Sequence, residues 1–112
     1  MLEAAKAYKL ALQNDPTILE SHQGLGLVYF RLHRLDEAIA ENLAVINQSP
    51  NDLASLRNLA LLYHQKGELS QSLIHARRAL ELTVNDNDRK ALQAFIEQRL
   101  AGIGKHNPDE PH

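Results

Sequence analysis

The sequence has no cysteine, no tryptophan and only five aromatic residues, three tyrosines and two phenylalanines, in 112 positions. Without cysteine there is no disulfide framework, no thiolate nucleophile and no Cys-based zinc site, a usage compatible with a reducing compartment. With so few aromatics, Leu and Ala must fill the interior, and both are strong helix formers. Neither sign of charge dominates: 12 Lys and Arg against 14 Asp and Glu give a net charge of −2, so nothing pulls the chain towards nucleic acid or an anionic membrane. No stretch approaches the roughly 20 apolar residues that span a bilayer. The opening MLEAAKAYKLALQNDP carries Glu3, Lys6 and Lys9 and therefore lacks the apolar core of a signal peptide. The chain is expected to be soluble, either cytoplasmic or on the soluble face of a membrane-anchored parent.

What is present is helical periodicity. Ala5, Tyr8 and Leu12 recur at helical spacing with Leu2, as do Leu25, Val28, Tyr29 and Leu32, then Ile39, Leu43 and Ile46. The pattern continues through Leu56, Leu59, Leu62 and Tyr63, and through Leu69, Leu73, Ala76 and Leu80. Period-2 alternation is absent. Short polar breaks at 14–16, 33–34, 49–52, 66–67 and 84–88 divide the chain into six helices at 2–13, 18–32, 36–48, 52–66, 69–82 and 87–101. Links this short turn consecutive helices into antiparallel hairpins, so the fold class is all-α.

Capping chemistry sharpens the boundaries. Thr17 followed by Glu20 reads as a capping box for the second helix, Asn51 as a cap for the fourth, and Asn85 or Asn87 as a cap for the sixth. Gly67 and, less comfortably, His33 stand where a helix ends in a left-handed residue. Residues 102–112, with two Gly, two Pro and few apolar groups, read as a disordered tail.

A shift of 34 residues superposes Pro16 on Pro50, Leu25 on Leu59, Tyr29 on Tyr63 and Leu35 on Leu69, with Leu27/Leu61, Val28/Leu62, Ile39/Leu73 and Ile46/Leu80 as near matches. A helix pair recurring every 34 residues marks a helical solenoid. On these residues the sequence resembles the tetratricopeptide repeat (TPR) family, whose pattern is W-x2-L-G-x2-Y, then A-x3-F, then P. Residues 19–52 supply His22, Leu25, Gly26, Tyr29, Ala38, Asn42 and Pro50; residues 53–86 supply Leu56, Leu59, Ala60, Tyr63, Ser72, Ala76 and Val84. Residues 2–16 form the second half of an earlier repeat, with Ala4, Tyr8 and Pro16. The departures are His22 and Leu56 for Trp, Asn42 and Ala76 for the aromatic, and Val84 for Pro.

The resemblance implies one domain over 1–101: half repeat 2–16, repeats 19–52 and 53–86, and a capping helix 87–101 with Arg89, Lys90, Glu97, Gln98 and Arg99 on its polar side. Helix 2–13 lacks a hairpin partner and is expected to expose Leu2, Ala5, Tyr8 and Leu12. Either the chain continues in a longer protein, or this helix forms a homodimer.

Chemistry finds little purchase. Gly24 and Gly26 match neither G-x-x-x-x-G-K-[ST] nor G-x-G-x-x-G and follow no strand, so they do not cradle a phosphate. Gly26 lies over Ala60 in the repeat, which points to close helix packing, whereas Gly24 lies over Asn58 and must have another reason. The six histidines show no H-E-x-x-H or His-x3-His pair, and no spacing marks a nucleophile elbow; no metal, cofactor or catalytic residue is expected.

A binding surface remains. The resemblance places the first helix of each hairpin along a concave groove. On helix 18–32 the groove residues are Glu20, Gln23, Leu27, Phe30 and Arg31; on helix 52–66 they are Ala54, Arg57, Asn58, Leu61, His64 and Gln65. An apolar centre (Leu27, Phe30, Leu61) between polar edges suits an extended peptide or a partner helix. Some TPR domains clamp the C-terminal carboxylate of chaperone tails with Lys, Asn and Arg. Here Gln23 and Leu27 stand where that clamp wants Lys and Asn, with Arg57 and Asn58 as the partial matches, so this ligand is disfavoured. The expected function is a scaffold or adaptor for a protein or peptide partner. The alternatives are homo-oligomerisation through helix 2–13 and a role as the TPR part of an assembly factor for a larger, membrane-associated complex.

Overall fold

The computed structural model describes residues 2–105. Six helices follow one another: α1 (Leu2–Asn14), α2 (Leu19–Arg31), α3 (Leu35–Gln48), α4 (Leu53–Lys66), α5 (Leu69–Leu82) and α6 (Asp86–Lys105). Each packs chiefly on the next, and the result is an elongated slab of 54 × 34 × 21 Å. Its thinnest dimension is that of two helix layers at 8–10 Å spacing plus side chains. Among the described residues no helix is long and apolar enough to cross a membrane.

The 3.6-residue stripes bury the positions the repeat names. Leu25, Val28 and Tyr29 of α2 meet Ala38 and Ile39 of α3, together with Leu59 and Leu62 of α4 and Ala5 of α1. Two further clusters join the later helices, one around Ala60, Leu73, Ala76 and Ile96, the other around Leu56, Ala79 and Leu92.

Two glycines are explained by their neighbours. A Cβ on Gly26 would lie 3.0 Å from Asn42 Nδ2, so the missing side chain makes room for a buried amide. That amide donates to the Ala38 carbonyl at 2.8 Å. A Cβ on Gly24 would overlap the ring of Tyr8, which identifies its separate reason: it admits an α1 aromatic onto α2. This also corrects the expectation for helix 2–13. Ala5 is buried, and Tyr8 and Leu12 pack against the first cluster, because α2 turns back over that face; the side chain of Leu2 lies outside the description. The side of α1 that meets water carries Leu10.

The caps are partly redistributed. Thr17 does not cap α2: its N–H and hydroxyl both donate to Asp15 Oδ1, at 3.0 and 2.6 Å. With Thr17 closed into this Asx turn, the helix starts one residue later from Ile18, which has no side-chain cap. Asn51 does not cap α4, since its Oδ1 accepts from Arg78 Nη2 at 2.7 Å; Asp52 takes over and accepts the Ser55 N–H at 3.1 Å. Asn85 does cap α6, accepting the Asp88 N–H at 3.0 Å. Gly67 and His33 both adopt left-handed backbone, at φ 81° and 57°. Helix α6 runs on to Lys105, so 102–105 are helical where a tail was expected; residues 106–112 lie outside the described residues. Gly102 meets no neighbour that would oppose a continued helix.

His22 does more than fill a packing slot. One ring nitrogen is 2.6 Å from Glu41 Oε2 and the other 2.7 Å from the Pro16 carbonyl oxygen. Both partners are acceptors, so both bonds form only when both ring nitrogens carry protons. Burial opposes the charged ring, yet the Glu41 carboxylate and the Pro16 carbonyl outweigh it and raise the His22 pKa above its ordinary 6.5. The link fastens the α1–α2 turn to α3. Among the described residues every buried side-chain nitrogen or oxygen has a hydrogen-bond partner.

Candidate functional site

Helices α2 and α4 open successive hairpins and α6 follows at the same repeat position; α2 meets α4 around Leu25 and Leu59, and α4 meets α6 around Ala60 and Ile96, so the three lie side by side. Because Leu25, Val28 and Tyr29 turn inward on α2, Gln23, Leu27 and Arg31 turn outward; on α4 the inward set Leu56, Leu59 and Leu62 leaves Ala54, Arg57, Leu61 and Gln65 outside. Leu27 and Leu61, one repeat apart, are 48% and 41% exposed. Glu20 and His64 are exposed as well, and Asn58 is half-buried. Phe30 departs from expectation. Its ring is half-buried and packs against the first core cluster, so it is no free anchor in the groove. Phe30 sits on the flank of the buried stripe, one turn beyond Gly26, where a large apolar ring removes more surface from water by folding onto the core edge.

Helix α6 supplies what the sequence reading left out. The 34-residue step from Leu27 to Leu61 reaches Phe95 when taken once more, and the step from Arg31 and Gln65 reaches Arg99. That arithmetic was available; reading helix 87–101 as only a cap concealed it. Phe95 lies beside α4, its ring edge-on to His64 at 5.9 Å between centroids. The Arg99 guanidinium lies over the other part of this assembly, 4.3 Å from the Phe95 centroid. Arg57, Ala60, Leu61, Ala91, Leu92 and Phe95 line a cleft of about 180 Å³ between α4 and α6.

The electrostatics are graded. Arg57 Nη1 lies 3.9 Å from Asp88 Oδ2 with both side chains 43% exposed, a loose pair of little energetic weight. Burial and the charge of Arg99 push the His64 pKa below its ordinary value, so the ring is neutral at pH 7 and adds apolar surface beside Phe95. Gln23 Nε2 reaches Asp52 Oδ1 at 3.5 Å, the long limit of a hydrogen bond. The strip therefore has an apolar centre of Leu27, Leu61 and Phe95, flanked by acids along one edge (Glu20, Asp88) and by bases along the other (Arg31, Arg99). Among the described residues no three His, Asp or Glu side chains converge as metal ligands. His64 and His75, on the two helices of one hairpin, are engaged separately, with Phe95 and with Tyr63.

Comparison with known proteins adds two likenesses. No protein-family model matches the chain. The chain is 30% identical over 88 residues to the Hsp70-Hsp90 organizing protein 3 of Arabidopsis thaliana; the match covers 75% of this chain and 16% of that protein. Among solved structures it superposes on MamA MSR-1 C2 with a TM-score of 0.75 at 17% identity, over 91% of this chain and 57% of that one. The chain thus spans about a sixth of the length of the curated relative it matches.

Proposed function

Because the chain belongs to the tetratricopeptide-repeat family, we propose that it is a protein–protein interaction module whose α2, α4 and α6 face receives a segment of a partner protein. The observation that carries this reading is the row Leu27, Leu61 and Phe95. It consists of apolar side chains at 34-residue spacing, two of them left in water, on a surface where a helix is otherwise free to be polar. Glu20, Gln23, Arg31, Ala54, Arg57, Asn58, His64 and Gln65 edge that row, and Phe30 stiffens it from the core side. A partner binds through apolar side chains set along the row, with its polar groups directed to the two charged edges.

The name of the Arabidopsis relative speaks of Hsp70 and Hsp90. A chaperone tail is a poor ligand for this face: Gln23 and Leu27 replace the Lys and Asn that a carboxylate clamp requires, and Arg57, a partial match to the clamp, has Asp88 beside it at 3.9 Å. Membership of an assembly factor is a compatible use of the same face.

The test is photo-crosslinking in the source cell from a benzoylphenylalanine at position 57. We expect a discrete cross-linked polypeptide that disappears when Leu27→Glu and Leu61→Glu are combined, while the far-ultraviolet circular dichroism of that variant is unchanged. A cross-link indifferent to both substitutions overturns the reading.

A further inference from the structure

The opposite face is built by α1, α3 and α5, whose outward positions are expected to be polar. Instead Leu10, Leu43 and Ile74 are 60%, 37% and 56% exposed, one on each of these three helices. The repeat does not account for them: at 34-residue spacing Leu43 lies over Arg77, and Ala40 over Ile74. Beside Ile74, between α3 and α5, a cleft of about 430 Å³ opens, with Ile46 and Ile74 as walls and Arg77 and Arg78 on the rim. Leu56, 2% exposed, contributes its base.

The rim is chemically uneven. Arg78 is held on both sides: Nη2 donates to Asn51 Oδ1 at 2.7 Å and Nη1 to Glu81 Oε2 at 3.0 Å. The Arg77 side chain, on the same rim, is exposed and forms no ion pair or hydrogen bond with the described residues, unlike that of Arg78. Glu81 is the one acid lining the cleft. A chain of net charge −2 thus carries a cation without an ion-pair partner among the described residues beside this largely apolar cleft.

We infer that this cleft is a second docking site, which takes a short segment of another protein bearing a large aliphatic or aromatic side chain next to an acidic residue. The apolar side chain enters between Ile46 and Ile74 onto Leu56, and the neighbouring carboxylate pairs with Arg77. The argument is independent of the α2, α4 and α6 face. It makes the module two-sided, with partners held on opposite surfaces of a slab 21 Å thick.

The probe is a short fluorescein-labelled peptide with a Leu-Phe pair between glutamates. One control peptide has lysines in place of the glutamates, and a second has alanines in place of the Leu-Phe pair. We expect only the first to bind, with amide shifts in 15N spectra confined to α3, α5 and the start of α4. Ile74→Glu and Arg77→Glu should each weaken binding about tenfold, and Leu61→Glu should leave it unchanged. Both substituted positions are on the surface, so circular dichroism should confirm an intact fold. Equal binding of all three peptides, shifts confined to α2 and α6, or self-association of the chain through Ile74 in sedimentation experiments would each overturn the proposal.

Discussion

The two full repeats place the same backbone in the same fold but fill their central slots differently. In the first, Gly26 faces Asn42, whose amide bonds back to Ala38. One repeat later the slots hold Ala60 and Ala76, and the cross-link is the Ser72 hydroxyl donating to the Ala60 carbonyl at 2.7 Å. His22 and Glu41 form a charged link in the first repeat; their counterparts Leu56 and His75 form none, and His75 stacks on Tyr63 at 5.3 Å instead. The sharp turn uses His33 in one and Gly67 in the other. The repeat specifies a volume and a hydrogen-bond requirement at each slot, and more than one set of residues satisfies both.

Substitutions at the core leucines, the glycine slot and the turns test that equivalence. The largest effect belongs where the repeats agree: Leu25 and Leu59 are 1% and 0% exposed. Each change to Ala should cost about 2–5 kcal/mol in urea unfolding, and a gap between them wider than that range would show that the two slots are not mechanically alike. Next is the glycine slot. Gly26→Leu overfills it against Asn42 and should cost about 1–3 kcal/mol. Gly26→Ala combined with Asn42→Ala installs the second repeat's residues in the first. It removes the buried amide together with its bond and gains about 1 kcal/mol of helix propensity at position 26, so the melting temperature should hold or rise. A clear fall would break the comparison. At the turns, His33→Gly should stabilise by about 1 kcal/mol and Gly67→Ala destabilise by a similar amount, both because φ is positive there.

The smallest effects are in pH. The raised His22 pKa means that its contribution is fully present below the unfolded value near 6.5 and is lost as pH rises through the folded value. His64, with a lowered pKa, acts in reverse: its contribution is present above 6.5 and lost as pH falls through the folded value. In chemical denaturation from pH 5 to 9, His22→Leu should remove a decline on the alkaline side and His64→Gln a weaker decline on the acid side. Identical slopes in all three proteins would show that neither histidine is linked to folding.

Much of this was legible in the sequence. Every helix was bounded to within one residue except at the end of α6, because the apolar stripes and the 34-residue register constrain each other. The left-handed turns and the Gly26 packing site were legible for the same reason. The errors lie where side chains have a choice of partner. Thr17 and Asn51 are good caps by type, but Asp15 and Arg78 compete for them, and no local pattern reports a competitor. The exposure of Phe30, Ala5, Tyr8 and Leu12 depended on what an adjoining helix covers. Phe95 is a different case, since the 34-residue periodicity through Leu27 and Leu61 points to it in the sequence itself.

The succession of helices, each resting chiefly on its neighbours in sequence, has a kinetic consequence. Contacts of such short range carry a low loop-closure cost, so the chain should assemble rapidly, by accretion from whichever hairpin forms first. Among the described residues the α2–α3 and α4–α5 hairpins pack most extensively and α1 and α6 least, so α1 and α6 should open first. Amide hydrogen exchange should therefore be slowest across α3 to α5 and quicken towards α1 and α6, a gradient that leaves the α6 contribution to the binding row the most readily rearranged part of that surface.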